Sequence, residues 1–93
     1  MSLNVARRFV ISGEVQGVGY RFFAHRAAAR HHIVGHIRNL PDGSVEAVVE
    51  GPADKVEAFK HDLATGPQFA VVERVEEIDI EPTGTYSSFR IER

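Results

Sequence analysis

Between Arg7 and Ser12 the chain alternates. Phe9 and Ile11 fall on one side and Arg8 and Val10 on the other, the period-two signature of a strand. A glycine-rich stretch follows, Gly13-Glu14-Val15-Gln16-Gly17-Val18-Gly19. From Tyr20 the period lengthens. Phe23, Ala27 and Arg30 recur on one helical face, and Ala27-Ala28-Ala29 favours a helix by propensity. The helix is expected to end at His31 or His32, before the β-branched pair Ile33-Val34 and Gly35. Val34 to Leu40 reads as a second strand and Ser44 to Glu50 as a third. Pro41-Asp42-Gly43 between them is a strong turn signal, so the two form an antiparallel hairpin. In the third strand Val45, Ala47 and Val49 alternate with Glu46, Val48 and Glu50, which predicts one buried face and one mostly wet.

Gly51-Pro52 is expected to stop the hairpin. Val56, Phe59 and Leu63 mark the buried stripe of a second helix, Ala53 to Thr65, which Gly66-Pro67 ends. Val71 to Ile80 predicts a fourth strand through Val75, Ile78 and Ile80, and Ser88 to Glu92 a short fifth one through Phe89 and Ile91. The order βαββαβ, with two one-faced helices and a mostly antiparallel sheet, predicts an α+β sandwich of ferredoxin-like type, both helices on one sheet face. Many functions share that architecture, so the chemistry must be sought in particular residues.

The chain has 93 residues, 43% of them apolar and 26% charged, and no cysteine. That length suits one domain, residues 1–93. Without cysteine, a disulfide scaffold, a Cys-based zinc site and a thiol nucleophile are excluded. No apolar run reaches the roughly 18 residues that span a bilayer. Met1-Ser2-Leu3-Asn4 carries no leader-like apolar region, so a cytoplasmic protein is expected. The net charge of −2 divides unevenly. Residues 1–45 hold six arginines against Glu14 and Asp42, whereas residues 46–93 hold five basic and eleven acidic side chains. The asymmetry points to a localised anion site rather than a nucleic-acid coat, with the excess positive charge expected around Gly13 to Arg21. The acidic residues follow solvent-facing periodicity.

Three glycines between Gly13 and Gly19 let the backbone curl so that successive N–H groups share one concavity. The helix that follows adds its own unpaired N–H groups, and such a cradle suits one phosphoryl group. Arg21, at the start of that helix, can fold its guanidinium over the same concavity. Nucleotide motifs do not match: Phe22 stands where a third glycine is required after Gly17 and Gly19, and no lysine precedes Lys55. The same glycines also suit an ordinary strand-to-helix turn. Asn39, just before the second turn, has an amide that can hold a water, or can simply serve the turn. His31, His32 and His36 invite a metal reading, but His32 and His36 share a face only in an unbroken helix, and Val34-Gly35 breaks it. No metal site is expected. RNA binding is not expected either, because Ser44 to Glu50 offers no aromatic side chain for base stacking.

Gly13-x-Val15-Gln16-Gly17-Val18-x-Tyr20-Arg21 resembles the first signature of the acylphosphatase family. Gly35-His36-Ile37-Arg38-Asn39-Leu40-Pro41-Asp42-Gly43-Ser44-Val45, running on to Gly51, resembles the second. The two motifs cover about a third of the chain, and the length, element order and terminal Phe89-Arg90-Ile91 are also similar. Paired motifs at this separation are specific, and they displace the plainer readings of the glycine loop and of Asn39. His36 stands where the family usually has an aromatic residue and Ile37 where it has a smaller aliphatic one. Those departures touch packing beside Asn39 rather than chemistry.

The resemblance implies hydrolysis of the carboxyl–phosphate bond of small-molecule acyl phosphates, giving a carboxylate and inorganic phosphate, with no metal and no cofactor. It assigns Arg21 to phosphate binding and Asn39 to orienting the attacking water. It assigns the backbone of Gln16, Gly17, Val18, Gly19 and Tyr20 to the phosphate cradle. Inorganic phosphate is expected as product and competitive inhibitor, with no nucleic-acid or membrane partner, and the chain as a monomer. Acylphosphatase-like domains also occur within larger maturation proteins; a chain of this length favours the free enzyme.

Overall fold

In the computed structural model, which describes residues 4–93, the elements follow the expected order. They are β1 (Asn4–Glu14), α1 (Tyr20–His31), β2 (Val34–Asn39), β3 (Val45–Pro52), α2 (Ala53–Thr65), β4 (Val71–Ile80) and β5 (Phe89–Ile91). Met1, Ser2 and Leu3 of the N-terminal reading lie outside the described residues. The sheet order is β4-β1-β3-β2-β5. All neighbours are antiparallel except the parallel β2–β5 pair at one edge. β1 and β2 flank β3 in the split βαβ arrangement, and both helices contribute to a core on one sheet face. None of the described helices is long and apolar enough to cross a membrane.

Strand ends depart from the sequence reading because pairing, rather than propensity, sets them. β1 extends beyond Arg7–Ser12, since both of its edges are paired: it runs from Asn4↔Pro52 against β3 and on to Glu14↔Val71 against β4. A bulge between Ser12 and Gly13 shifts the second register. Gly13 has φ 128° there, and a Cβ at that position would lie 2.1 Å from the Val71 carbonyl oxygen, so only glycine fits. Gly51-Pro52 does not stop β3. Both residues stay paired with β1, and Pro52 then caps α2 directly. Between β2 and β3, Leu40 N donates to Ser44 O at 2.8 Å, closing the turn just after Asn39.

The core joins Phe9, Ile11, Ile37, Val45 and Val49 of the sheet to Phe59 and Leu63 of α2. The buried face of α1 is Tyr20, Ala24, Ala27 and Ala28, not the expected Phe23–Ala27–Arg30 line. Small alanines let the helix lie close to the sheet, leaving Phe23 half-buried and Arg30 outside, where its Nη2 meets Asp62 Oδ2 at 2.9 Å. The second face of β3 is not wet either. Glu46 and Glu50 are 5% and 3% exposed. Arg8 Nε and Arg38 Nε donate to the Glu46 carboxylate at 2.6 and 2.8 Å, and the arginine stems roof it. Glu50 accepts from Thr83 N, Thr83 Oγ1 and Gly84 N at 2.9–3.0 Å, pinning the segment that leads to β5.

Candidate active site

Past the bulge the chain drops Val15 into the core and leaves Gln16 and Gly17 outside. Gly19 caps α1 in the left-handed region, at φ 77° and ψ 20°, and no side chain caps the first turn. A side chain at Gly19 would be strained in that conformation. Among the described residues no backbone acceptor takes the N–H groups of Gln16 to Tyr20. A strand-to-helix junction with unclaimed donors and the positive helix end has electrostatics that suit an anion.

Two side chains fix this loop to the rest of the sheet. Gln16 Nε2 donates to Leu40 O at 2.9 Å and to Ser44 O at 2.8 Å, tying the loop to the β2–β3 turn beside Asn39. Arg21 Nη1 donates to Glu92 O at 2.9 Å, and Glu92 N donates to Ile37 O at 2.8 Å, so the end of β5 holds the guanidinium near the end of β2. That contact occupies one of five guanidinium N–H donors.

Gly17, Gly19, Tyr20, Arg21 and Asn39 share one cavity of about 280 Å³, with the exposed Phe22 and Ile91 in its lining. An adjoining hollow of about 630 Å³ shares Arg21, Asn39 and Ile91 and adds Arg93. Of the residues singled out in sequence, Gln16 and Val18 do not line the cavity: the Gln16 side chain is a latch, and Val18 packs against the core. Tyr20 offers only its backbone, because its ring is buried and its hydroxyl donates to Leu63 O at 2.6 Å. Burial pushes that phenol far above the usual tyrosine range. Ile91, the Glu92 carbonyl and Arg93 were missed. No local signal marks them, since they reach the site only because β5 adds to the edge of β2 with Ile37 paired to Ile91.

The cationic half is not gathered around this loop, contrary to the charge reading. Arg7 meets Glu77 and Asp79, Arg8 and Arg38 share Glu46, and Arg30 meets Asp62. Four of the six N-terminal arginines are thus paired with acids of the second half, which leaves Arg21 and Arg26, and of these two Arg21 lines the cavity. Around Glu46, burial alone would raise the carboxyl, but the hydrogen bonds and charges of Arg38 and Arg8 overcome it and hold it below the usual glutamate range. His36, on the sheet face away from Asn39, packs against Tyr86 with ring centroids 5.8 Å apart.

A family model for acylphosphatase matches residues 7–91. The chain belongs to the acylphosphatase family. The acylphosphatase of Petrotoga mobilis is 44% identical over 88 residues, covering 95% of this chain and 98% of its own. The crystal structure of acylphosphatase from Bacillus subtilis superposes with a TM-score of 0.92 at 28% identity, covering 96% of this chain and 99% of that one. A domain of this kind also occurs within a larger protein: the structure of T.kodakarensis HypF matches at a TM-score of 0.84 and 37% identity, over 96% of this chain and 12% of that one. The ferredoxin-like α+β architecture is shared with these acylphosphatases.

Proposed function

We propose that this acylphosphatase-family chain, acting as a single domain, hydrolyses small acyl phosphates with Arg21, Asn39 and the loop backbone as its machinery. The observation that carries the reading is the meeting of Arg21, Asn39 and the glycines of the uncapped helix start in one cavity. The phosphoryl oxygens lie in the cradle of N–H groups from Gln16 to Tyr20, and the free edge of the Arg21 guanidinium closes over them. Phosphoryl transfer needs positioning and charge stabilisation more than covalent chemistry, and these groups supply the charge.

Asn39 holds the attacking water. As the water oxygen bonds to phosphorus, the bond from phosphorus to the acyl oxygen breaks and its electron pair leaves on the carboxylate. An asparagine amide takes no proton, so the water's proton passes to a phosphate oxygen or to solvent. An activated leaving group makes a strong base unnecessary, and the contribution of Asn39 is orientation.

Phosphate release from acetyl phosphate tests the reading. Asn39→Ala is expected to lower kcat far more than it raises KM, as loss of a water positioner requires. Near-normal turnover of that variant would remove Asn39 from the mechanism. Inorganic phosphate is expected to inhibit competitively, activity to survive a chelator, and the protein to sediment as a monomer. A cytoplasmic location fits a site built for a small soluble anion.

A further inference from the structure

The chain has nine arginines and two lysines, Lys55 and Lys60, and both lysines lie on α2. Arg21 in the cavity and Arg93 in the adjoining hollow are guanidinium groups, and no lysine lines either space. That choice matters for a protein that meets acyl phosphates. Such a substrate is a mixed anhydride with two electrophilic centres, phosphorus and the carbonyl carbon. Hydrolysis attacks the first, and an uncharged amine attacks the second. A guanidinium keeps its proton and does not attack, whereas a lysine amine can.

The two lysines are not equally open to this reaction. Lys60 Nζ meets Glu77 Oε1 of β4 at 2.6 Å, with a third of the lysine side chain exposed. That hydrogen bond and charge hold the Lys60 ammonium above the usual lysine range. Lys55 is exposed in the first turn of α2 and makes no ion pair or hydrogen bond through its side chain among the described residues. We propose that Lys55 is a modification site of this chain, acylated by acyl phosphates in solution, and that Lys60 is spared by Glu77. The uncharged Nζ of Lys55 bonds to the carbonyl carbon. The bond from that carbon to the phosphate oxygen breaks, and its electron pair leaves with inorganic phosphate. The nitrogen gives up a proton to solvent, and an amide remains. β3 runs from the Asn39 side of the sheet to Pro52, so the start of α2 stands about 25 Å along the strand from the cavity, and acylation there leaves the site intact. The inference rests on the hydrolase reading, which makes acyl phosphates the compounds this protein meets.

The experiment incubates the wild type, Arg21→Ala, Glu77→Gln and Lys55→Arg with acetyl phosphate and follows acetylation of each lysine by peptide mass mapping. The α-amino group is read on its own peptide and does not enter the comparison. Lys55 is expected to acquire acetyl groups roughly 2- to 5-fold faster than Lys60, the range set by an ion pair of partly exposed groups. Glu77→Gln should raise the Lys60 rate and close most of that gap. Lys55→Arg should remove the main acetylated lysine and leave kcat/KM for acetyl phosphate unchanged. Equal rates at the two lysines in the wild type, or no acetylation at Lys55, overturn the proposal, and a Lys60 rate unmoved by Glu77→Gln overturns the protective role of the ion pair. Arg21→Ala, which leaves the reagent unconsumed, should show the same order of lysines with more total label. If the wild type carries as much label as Arg21→Ala and releases no phosphate, the hydrolase reading fails, while the Lys55-to-Lys60 ratio still decides the site.

Discussion

Arg21 is held by Glu92. Its Nη1 donates to the Glu92 main-chain carbonyl at 2.9 Å, so the residue that follows the last strand orients a guanidinium carried by the first helix. A lysine has the charge but not the fork: its ammonium cannot reach that carbonyl and a phosphate in the same planar arrangement. Arg21→Ala is expected to lower kcat/KM for acetyl phosphate by roughly 30- to several-thousand-fold, the range for a lost charge-assisted contact. Arg21→Lys is expected to fall between wild type and Ala, with the inhibition constant for inorganic phosphate weakened in parallel. A lysine variant with wild-type phosphate affinity would show that the Glu92 contact orients nothing.

Gln16 is a donor to two carbonyls, those of Leu40 and Ser44, and it connects the loop before α1 to the turn after Asn39. Gln16→Ala removes both bonds at an exposed site, and stability is expected to fall by about 1 kcal/mol or less. Gln16→Glu should do more harm to function, because it turns the donor into an anion facing two carbonyl oxygens beside the proposed phosphate position. The expected order of KM for acetyl phosphate is wild type below Ala below Glu. If Glu and Ala raise KM equally, the charge beside the loop is not felt by the substrate.

Much of the fold and the core of the proposed site could be read from local chemistry. The glycines at 13, 17 and 19 mark a bend that side chains resist, and Arg21 and Asn39 sit at the two element ends that the topology brings together. What escaped was long-range. Phe23 and Arg30 have the spacing of a buried face, but the helix turns its alanines to the sheet instead. Glu46 alternates like a solvent-facing residue, yet arginines on both neighbouring strands roof it, and no short-range pattern records strand neighbours. The same holds for Ile91 and Arg93, whose place beside Asn39 depends on a parallel pairing formed between residues more than fifty positions apart.

The Arg8–Glu46–Arg38 group should make stability acid-sensitive. The Glu46 carboxyl is held below its ordinary value of 4.5, as are those of Glu50 and Glu77, and Asp62 is held below its own ordinary value of 3.8, so the unfolded chain binds more protons than the folded one in that range. The stability they contribute is fully present above about pH 4.5 and is lost as pH falls through their folded values. Tm is expected to be nearly flat from pH 7 to pH 5 and to drop below that. Glu46→Gln should lower Tm at neutral pH and flatten the acid limb. An unchanged acid limb in that variant would assign the proton uptake to the other carboxylates.

His32 ends α1 in a conformation that suits glycine. It has φ 56°, while its N–H and that of Ile33 return to the carbonyls of Ala29 and Ala28 at 3.4 and 2.9 Å, a Schellman closure with a side chain where glycine usually stands. An L-residue there costs roughly 1–2 kcal/mol, of which histidine's tolerance of the region removes part. The imidazole is exposed, so little packing is lost with it. Glycine regains the strain but gives the unfolded chain more freedom, by about 0.5–1 kcal/mol. The net expectation for His32→Gly is a gain of about 0.5–1 kcal/mol, or roughly 2–8 °C in Tm for a domain of this size. His32→Ala removes the same ring without relieving the backbone, and is expected to leave Tm unchanged or lower it. Equal gains from both variants would place the stabilisation in loss of the imidazole rather than in the left-handed turn, and the two melting curves decide between them.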